Sequence, residues 1–212
     1  MSIPPDPAHR AGAPTIGVLA LQGDVREHVR MLEAVGAHAV AVRRPQELDR
    51  LDGLVVPGGE STTMWRLARS FDLLEPLRKR VGGGLPVYGS CAGMIMLADG
   101  ILDGADGQET IGGLDMVVRR NAFGRQIDSF EAPVEIDGVP GEPLTAVFIR
   151  APWVESVGGR ARVLGRIAGA GGGPARIVAV RQDQLLATSF HPELTGDTRI
   201  HELFVKIVKG QA

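Results

Sequence analysis

Leu85-Pro86-Val87-Tyr88-Gly89-Ser90-Cys91-Ala92-Gly93 is the stretch on which the fold of this chain turns. An apolar run ends in a group of small residues around a cysteine, and the residues up to Ala98 then read as an apolar helix. A strand that enters a helix through so short a turn forces the residue at the tip into strained φ/ψ, so its neighbours must be small. Gly89, Ser90, Ala92 and Gly93 meet that condition around Cys91. The tip also lies at a helix start, where free N–H groups and the macrodipole favour negative charge on a nucleophile. A buried cysteine in a tight turn is the competing reading of the same residues.

Upstream, the strand-then-helix unit recurs. Ile16-Gly17-Val18-Leu19-Ala20-Leu21 is a short apolar run without polar alternation, as a strand covered on both faces requires, and Gln22-Gly23 ends it. Asp24 and Glu27 have the spacing of a capping box, after which Val25, Val29 and Leu32 share one helical face until Gly36. Residues 37–42 and 53–56 predict two more strands, and 62–81 a helical stretch broken near Ser70. Helices of this length between strands imply right-handed crossovers and parallel pairing. Beyond about Gly112 the pattern changes to short strand-like runs at 130–136, 145–149, 161–167, 176–180 and 185–189, which predict antiparallel additions. A last helix is expected over about 199–209, with Ile200, Leu203, Phe204, Ile207 and Val208 on one face. The expected fold is α/β in three layers: a mainly parallel central sheet flanked by helices, with additional antiparallel strands.

With 212 residues, 44% of them hydrophobic, the chain can bury a sizeable core. One domain is expected over 15–212, preceded by a proline-containing leader, 1–14, that has little to pack and is expected to be disordered. Twenty-three basic and 25 acidic residues give a net charge of −2. This leaves no electrostatic footprint for nucleic acid or an anionic membrane. One cysteine excludes an internal disulfide. No secretory signal is visible and no apolar run reaches the length of a membrane span, so a cytoplasmic location is expected. Residues 169–174 are glycine-rich between two strand-like runs and read as a hairpin loop, because a phosphate loop would open a helix. No metal or cofactor is expected.

A nucleophilic cysteine needs a base. Of five histidines, His191 has the suitable frame, in Ser189-Phe190-His191-Pro192-Glu193 at the end of an apolar strand. If Pro192 keeps this segment extended, the Glu193 carboxylate points the same way as His191, holds its tautomer and stabilises the imidazolium. His9 falls in the leader, and His28, His38 and His201 lie on or beside helices without a recognisable partner, so a solvated or packing role is expected for them. Pro57-Gly58-Gly59-Glu60-Ser61-Thr62-Thr63 also joins a strand to a helix. Its glycines let backbone N–H groups turn toward a ligand, and Gly59 with Ala92 is the expected oxyanion pair. A helix cap at Ser61 or Thr62 is the plainer use of the same residues. No Gly-Lys-Ser/Thr follows these glycines, and Gly17 to Gly23 lacks the dinucleotide spacing. Arginines in 119–126 and 148–152 could hold the α-carboxylate of an amino acid, although surface arginine is the commoner case.

Taken together, these segments resemble class I glutamine amidotransferases, and more closely the glutaminase subunits of pyridoxal 5'-phosphate synthases. The resemblance is carried by Gly17 to Gly23 with Arg26-Glu27-His28, Pro57 to Thr63, Gly89 to Gly93, Arg120 to Gln126, Phe148 to Pro152 and Ser189 to Leu194. It implies hydrolysis of L-glutamine and delivery of ammonia to a β/α-barrel synthase subunit. That partner would make pyridoxal 5'-phosphate from ribose 5-phosphate and glyceraldehyde 3-phosphate. By resemblance, Cys91, His191 and Glu193 are catalytic. Gly59, Glu60, Ser61, Arg120, Ile149 and Arg150 contact glutamine, and Gln22 lies near the oxyanion site. The resemblance also implies weak activity without the partner, whose docking reorients the Gly58-Gly59 peptide. The leader and the 169–174 loop are longer than the family needs, and Ala122 stands where serine is expected. Two alternatives share the scaffold: an amidotransferase subunit feeding another acceptor, such as imidazole glycerol phosphate synthase, and a non-catalytic protein whose elbow cysteine senses redox state.

Overall fold

The computed structural model describes residues 12–120, 129–169 and 173–212. Most of the expected leader, the segment from Asn121 to Gln126 and the centre of the glycine-rich loop lie outside the described residues. The first half alternates strands and helices: β1 (Thr15–Leu19), α1 (Val25–Ala34), β2 (His38–Val42), β3 (Gly53–Val56), α2 (Ser61–Ser70), α3 (Leu74–Gly82), β4 (Val87–Ser90) and α4 (Ala92–Leu97). The second half is mostly strands: β5 (Ala98–Leu102), β6 (Leu114–Arg119), β7 (Ser129–Val134), β8 (Leu144–Ile149), β9 (Trp153–Val157), β10 (Arg162–Ile167), β11 (Arg176–Gln182) and β12 (Leu185–Thr188), closed by α5 (Arg199–Val208).

The main sheet runs β2-β1-β3-β4-β12-β11-β9-β6-β5, with β10 also paired to β11. Its first five strands are parallel, and β12 is the last of these. From β12 outward the pairings to β11, β9 and β6 are antiparallel. Strands β7 and β8 form a separate antiparallel pair. The expected three-layer α/β fold is therefore present. Strands β5, β6 and β9 escape the sequence reading, because Asp99, Gly100, Asp115 and Glu155 interrupt their apolar patterns.

Alternating side chains divide the core between the two sheet faces. Leu54, Val56, Val87 and Ala187 pack under α2, α3 and α4 with Met64, Leu77 and Met94. Val55, Tyr88 and Leu186 face the opposite layer, against Leu32 of α1 and Ile200, Leu203 and Phe204 of α5. Phe148 of β8 and Phe190, just past β12, also belong to that second core. Among the described residues, no helix is long and apolar enough to cross a membrane.

The β4–α4 junction has the expected strained geometry. Cys91 has φ 48° and ψ −102°, a region that costs a non-glycine residue on the order of 1–3 kcal/mol. The surrounding structure holds it there: Cys91 N–H donates to Thr188 O at 2.8 Å, tying the elbow to β12. A Cβ on Gly93 would collide with the backbone carbonyl of Val56, so α4 sits on β3 at a distance only glycine permits. Gly93→Ala is therefore expected to destabilise the fold by about 2 kcal/mol, as overpacking against rigid backbone does. Urea unfolding followed by circular dichroism measures this, and an unchanged midpoint would contradict the packing described.

Candidate active site

The parallel register of β12 on β4 pairs Thr188 with Ser90, so the two strands end side by side. One chain leaves at Cys91, and the other continues through Ser189 and Phe190 to His191. The His191 N–H donates to Val147 O of β8 at 2.9 Å, which fixes the backbone of the base. The expectation of an extended segment at Pro192 is corrected here: Pro192–Leu194 is a single 3-10 turn. The fixed φ of proline suits the first position of such a turn. The turn still brings Glu193 back under the ring, with Oε1 2.7 Å from His191 Nδ1. The ring and Cys91 line the same cavity, and the Cys91 thiol donates to Ile149 O at 3.9 Å. Cys91, His191 and Glu193 are all buried.

Asp24 is the second correction. Its side chain makes no helix-capping bond. Its Oδ2 lies 3.3 Å from His191 Nδ1, so two carboxylates converge on one imidazole nitrogen. Burial pulls the His191 pKa down, but hydrogen bonds to Asp24, Cys91 and Glu193 outweigh it and hold the ring well above the usual imidazole value. Burial pushes Glu193 up, while its contacts with His28 and His191 outweigh it and hold the carboxyl well below the ordinary carboxylate range. The favoured state of the pair is imidazolium and carboxylate. Asp24, His191 and Glu193 are also disposed as a cation could be held. A metal at Nδ1 would displace the proton that both carboxylates share.

The helix cap of α2 is likewise neither Ser61 nor Thr62. Glu60 is the N-cap, and its carboxylate accepts from Thr62 N–H at 3.0 Å and Thr63 N–H at 2.7 Å. Arg120 donates to the same carboxylate at 3.0 Å, and also to Thr62 Oγ1 and Gln108 Oε1. Gln108 in turn donates to Ser61 Oγ at 3.1 Å. Neighbouring Gly59 has φ 147°, and a Cβ there would run into the Gln22 side chain, whose Oε1 accepts from Glu60 N–H at 2.8 Å. The Gly58 carbonyl faces the Asp24 N–H at 3.3 Å.

A cavity of about 500 Å³ opens above the cysteine. Gln22, Gly59, Glu60, Ser61, Arg120, Ile149 and Arg150 line it together with Cys91, Ala92 and His191. Every substrate-contact and oxyanion position expected from the sequence thus meets at one site, with Glu193 beneath it. Arg150 adopts φ 42°, a second strained residue at the rim. A larger cavity of about 700 Å³ lies beside β7, β8 and β10, but among the described residues no cysteine, serine or histidine lines it. Size alone does not select the site; the convergence of nucleophile, base and cation does.

A strained cysteine at a strand–helix elbow thus shares a cavity with a buried histidine that is backed by a glutamate. The SNO glutamine amidotransferase family model matches residues 18–210. The chain belongs to this family. This amidotransferase is 62% identical over 198 residues to the "Pyridoxal 5'-phosphate synthase subunit PdxT" of Rhodococcus opacus (strain B4), covering 93% of this chain and 98% of that one. It is 66% identical over 197 residues to the protein of the same name from Streptomyces avermitilis, covering 93% and 95%. A crystal structure described as a glutamine amidotransferase matches with TM-score 0.83 and 45% identity, over 92% of this chain and 98% of that one. The crystal structure of a putative GMP synthase protein from Thermoplasma acidophilum, at 19% identity and TM-score 0.63 over 93% of this chain and 95% of that one, shares the fold.

Four participants in the site of this amidotransferase escape sequence reasoning. Asp24 carries the spacing of a cap, and Gln108 lies in a loop with no pattern at all. His28 and His201, expected to be solvated or merely packed, are fully buried and hydrogen-bonded to each other. The 173 positions between them hide that pairing.

Hydrogen bonds from Thr62 and Thr63 overcome the effect of burial and lower the Glu60 pKa to about 2. Its folded pKa is depressed, so the cap contributes fully above the ordinary value of 4.5 and is lost as pH falls through about 2. Glu60→Ala is expected to cost about 1 kcal/mol of stability at neutral pH. The deficit should shrink in acid. Urea midpoints at both pH values test this, and a pH-independent deficit would rule out the carboxylate cap.

Proposed function

We propose that this chain is the glutaminase subunit of a pyridoxal 5'-phosphate synthase, hydrolysing L-glutamine to L-glutamate and ammonia and passing the ammonia to a β/α-barrel synthase subunit. The observation that carries the chemistry is Cys91 and the Glu193-bonded His191 lining one cavity together with Arg120 and Arg150. Supporting the assignment to this synthase are relatives of that name, 62% to 66% identical over nearly the whole chain.

The reaction begins with the Cys91 thiolate attacking the side-chain amide carbon of glutamine. Negative charge moves to the amide oxygen, held by the N–H groups of Gly59 and Ala92. The His191 imidazolium gives its proton to the departing nitrogen, ammonia leaves, and a glutamyl thioester remains on Cys91. A water, deprotonated by the now neutral imidazole, attacks the thioester; the sulfur leaves as thiolate and glutamate is released. Glu193 keeps the proton of His191 on Nδ1, so that Nε2 serves the reacting atoms.

Substrate recognition falls to Arg120 and Arg150 for the α-carboxylate, with Glu60 and Ser61 near the α-amino group, while Ile149 and Gln22 shape the slot. Arg120 is bonded to Glu60, Thr62 and Gln108, so it is preorganised for an anion. The Gly58-Gly59 peptide is the control point. With its carbonyl on Asp24 N–H, a rotation of this peptide would change where the Gly59 N–H points, and loss of one oxyanion donor typically costs on the order of a hundredfold or more in rate.

Cys91→Ala is expected to abolish glutamate release, measured with the barrel synthase subunit present, while complex formation on a sizing column is retained. Turnover in that variant would refute the nucleophile. Wild-type protein should release glutamate at least about tenfold faster with the synthase subunit than without, as a repositioned oxyanion donor requires. Equal rates would refute control at Gly58-Gly59.

A further inference from the structure

Behind the triad lies a second set of buried polar groups that the proposed reaction does not use. His28 of α1 is fully buried, with Nδ1 2.9 Å from His201 Nε2 of α5. Its Nε2 lies 3.0 Å from Ser90 Oγ and 3.5 Å from Glu193 Oε2. Glu193 Oε1 is taken by His191, whereas Oε2 is buried with no hydrogen-bond partner among the described residues. His201 Nδ1 is likewise buried with no partner.

These two orphan atoms decide which way the chain of bonds runs. A carboxylate oxygen buried against an imidazole nitrogen is tolerable when that nitrogen carries the proton. His28 Nε2 is then an N–H shared between Glu193 and Ser90, and Nδ1 of the neutral ring is an acceptor. His201 Nε2 donates to it, so the unpartnered His201 Nδ1 is a lone pair and not a stranded N–H. In the reverse direction a His28 lone pair would face the Glu193 carboxylate, and His201 would bury an unpaired donor. That arrangement leaves two buried groups unsatisfied, a desolvation cost that the first direction avoids. Burial is the largest influence on His201 and lowers its pKa, consistent with a neutral ring at the end of the chain.

We propose that His28, backed by His201, is a positioning residue of the glutaminase reaction: its Nε2–H holds the second oxygen of Glu193 and so fixes the carboxylate that orients His191. The series of polar contacts then runs from His191 through Glu193 and His28 to His201, with hydrogen bonds at its two ends and a 3.5 Å Glu193–His28 contact between them. Another group facing this carboxylate is Tyr88 of β4, whose hydroxyl is bonded to Thr188 Oγ1; Asp24 bears on His191 from the cavity side. This inference rests on the triad of the proposed function.

Two variants separate positioning from packing. His28→Gln places an amide N–H near the position of Nε2. His28→Asn reaches only as far as Nδ1, keeping a partner for His201 and losing the donor to Glu193. With the synthase subunit present, His28→Gln is expected within about threefold of wild-type kcat. His28→Asn is expected to lose about tenfold or more in kcat, with KM for glutamine changed less than about twofold, as loss of a hydrogen bond to a charged group implies. Its acid limb of kcat/KM moves to higher pH, because a carboxylate without its donor is protonated more easily. Equal rates in the two variants, or a wild-type acid limb in both, would overturn the proposal. Cys91→Ala assayed in parallel keeps the failures distinct, since turnover there removes the triad itself. A readout independent of variant folding is the nitrogen spectrum of wild-type protein labelled with 15N-histidine. His28 must show a protonated Nε2 and a bare Nδ1; the opposite tautomer, or a doubly protonated ring, contradicts the chain of bonds.

Discussion

Everything at this site depends on the parallel pairing of β12 with β4. Leu185 to Thr188 lie beside Val87 to Ser90, so a strand from the end of the sequence stops level with the strand that carries the nucleophile. The Cys91 N–H donates to Thr188 O and holds a backbone conformation that would otherwise relax. Two residues beyond Thr188, at Phe190, the chain is still in the core, and the next residue is His191. A slip of one residue would turn the buried side chains of β12 to the wrong face and carry the base away from the sulfur. Strain at the elbow and alignment of the base thus have a common origin in a central strand pair with core on both faces.

Around that pair, the cavity lining is tied to helix capping. Glu60 caps α2, receives Arg120, and through its own N–H is bonded to Gln22. Gly59 lies between Gln22 and this cap, where a side chain would not fit. A movement of the Gly58-Gly59 peptide is therefore felt by the α2 N-terminus, by the Arg120 cation and by Asp24 beside the imidazole. On the proposed function, this linkage is the route by which a docking partner would act on the Gly59 N–H. In the opposite direction, the buried histidines of α1 and α5 tie the back of the triad to the helices that cover the second sheet face.

Local features were legible in the sequence. The elbow at Cys91, the helix break near Ser70, the strand at Gly53–Val56 and the last helix follow from residue size and periodicity, and the structure has them. The His191–Glu193 pair was legible as a pair but not by its route, since Pro192 starts a 3-10 turn where an extended segment was expected. What escaped depends on distant contacts. Glu60 outcompetes Ser61 and Thr62 as the cap because its longer side chain reaches two backbone N–H groups. Asp24 has a capping position, but the fold offers it an imidazole instead. His28 and His201 have no local signature, because what identifies them is burial at the junction of two helices, and periodicity does not report that.

The central claim is that Cys91 forms a covalent glutamyl intermediate under the control of His191. The most direct measurement is mass spectrometry of the protein treated with a glutamine-analogue electrophile, such as a diazo-ketone analogue, with the synthase subunit present. A single adduct on the peptide containing Cys91, suppressed by excess glutamine and lost in His191→Ala, is the predicted result. Glutamine turnover with no adduct on Cys91, or labelling that is indifferent to His191, would contradict it.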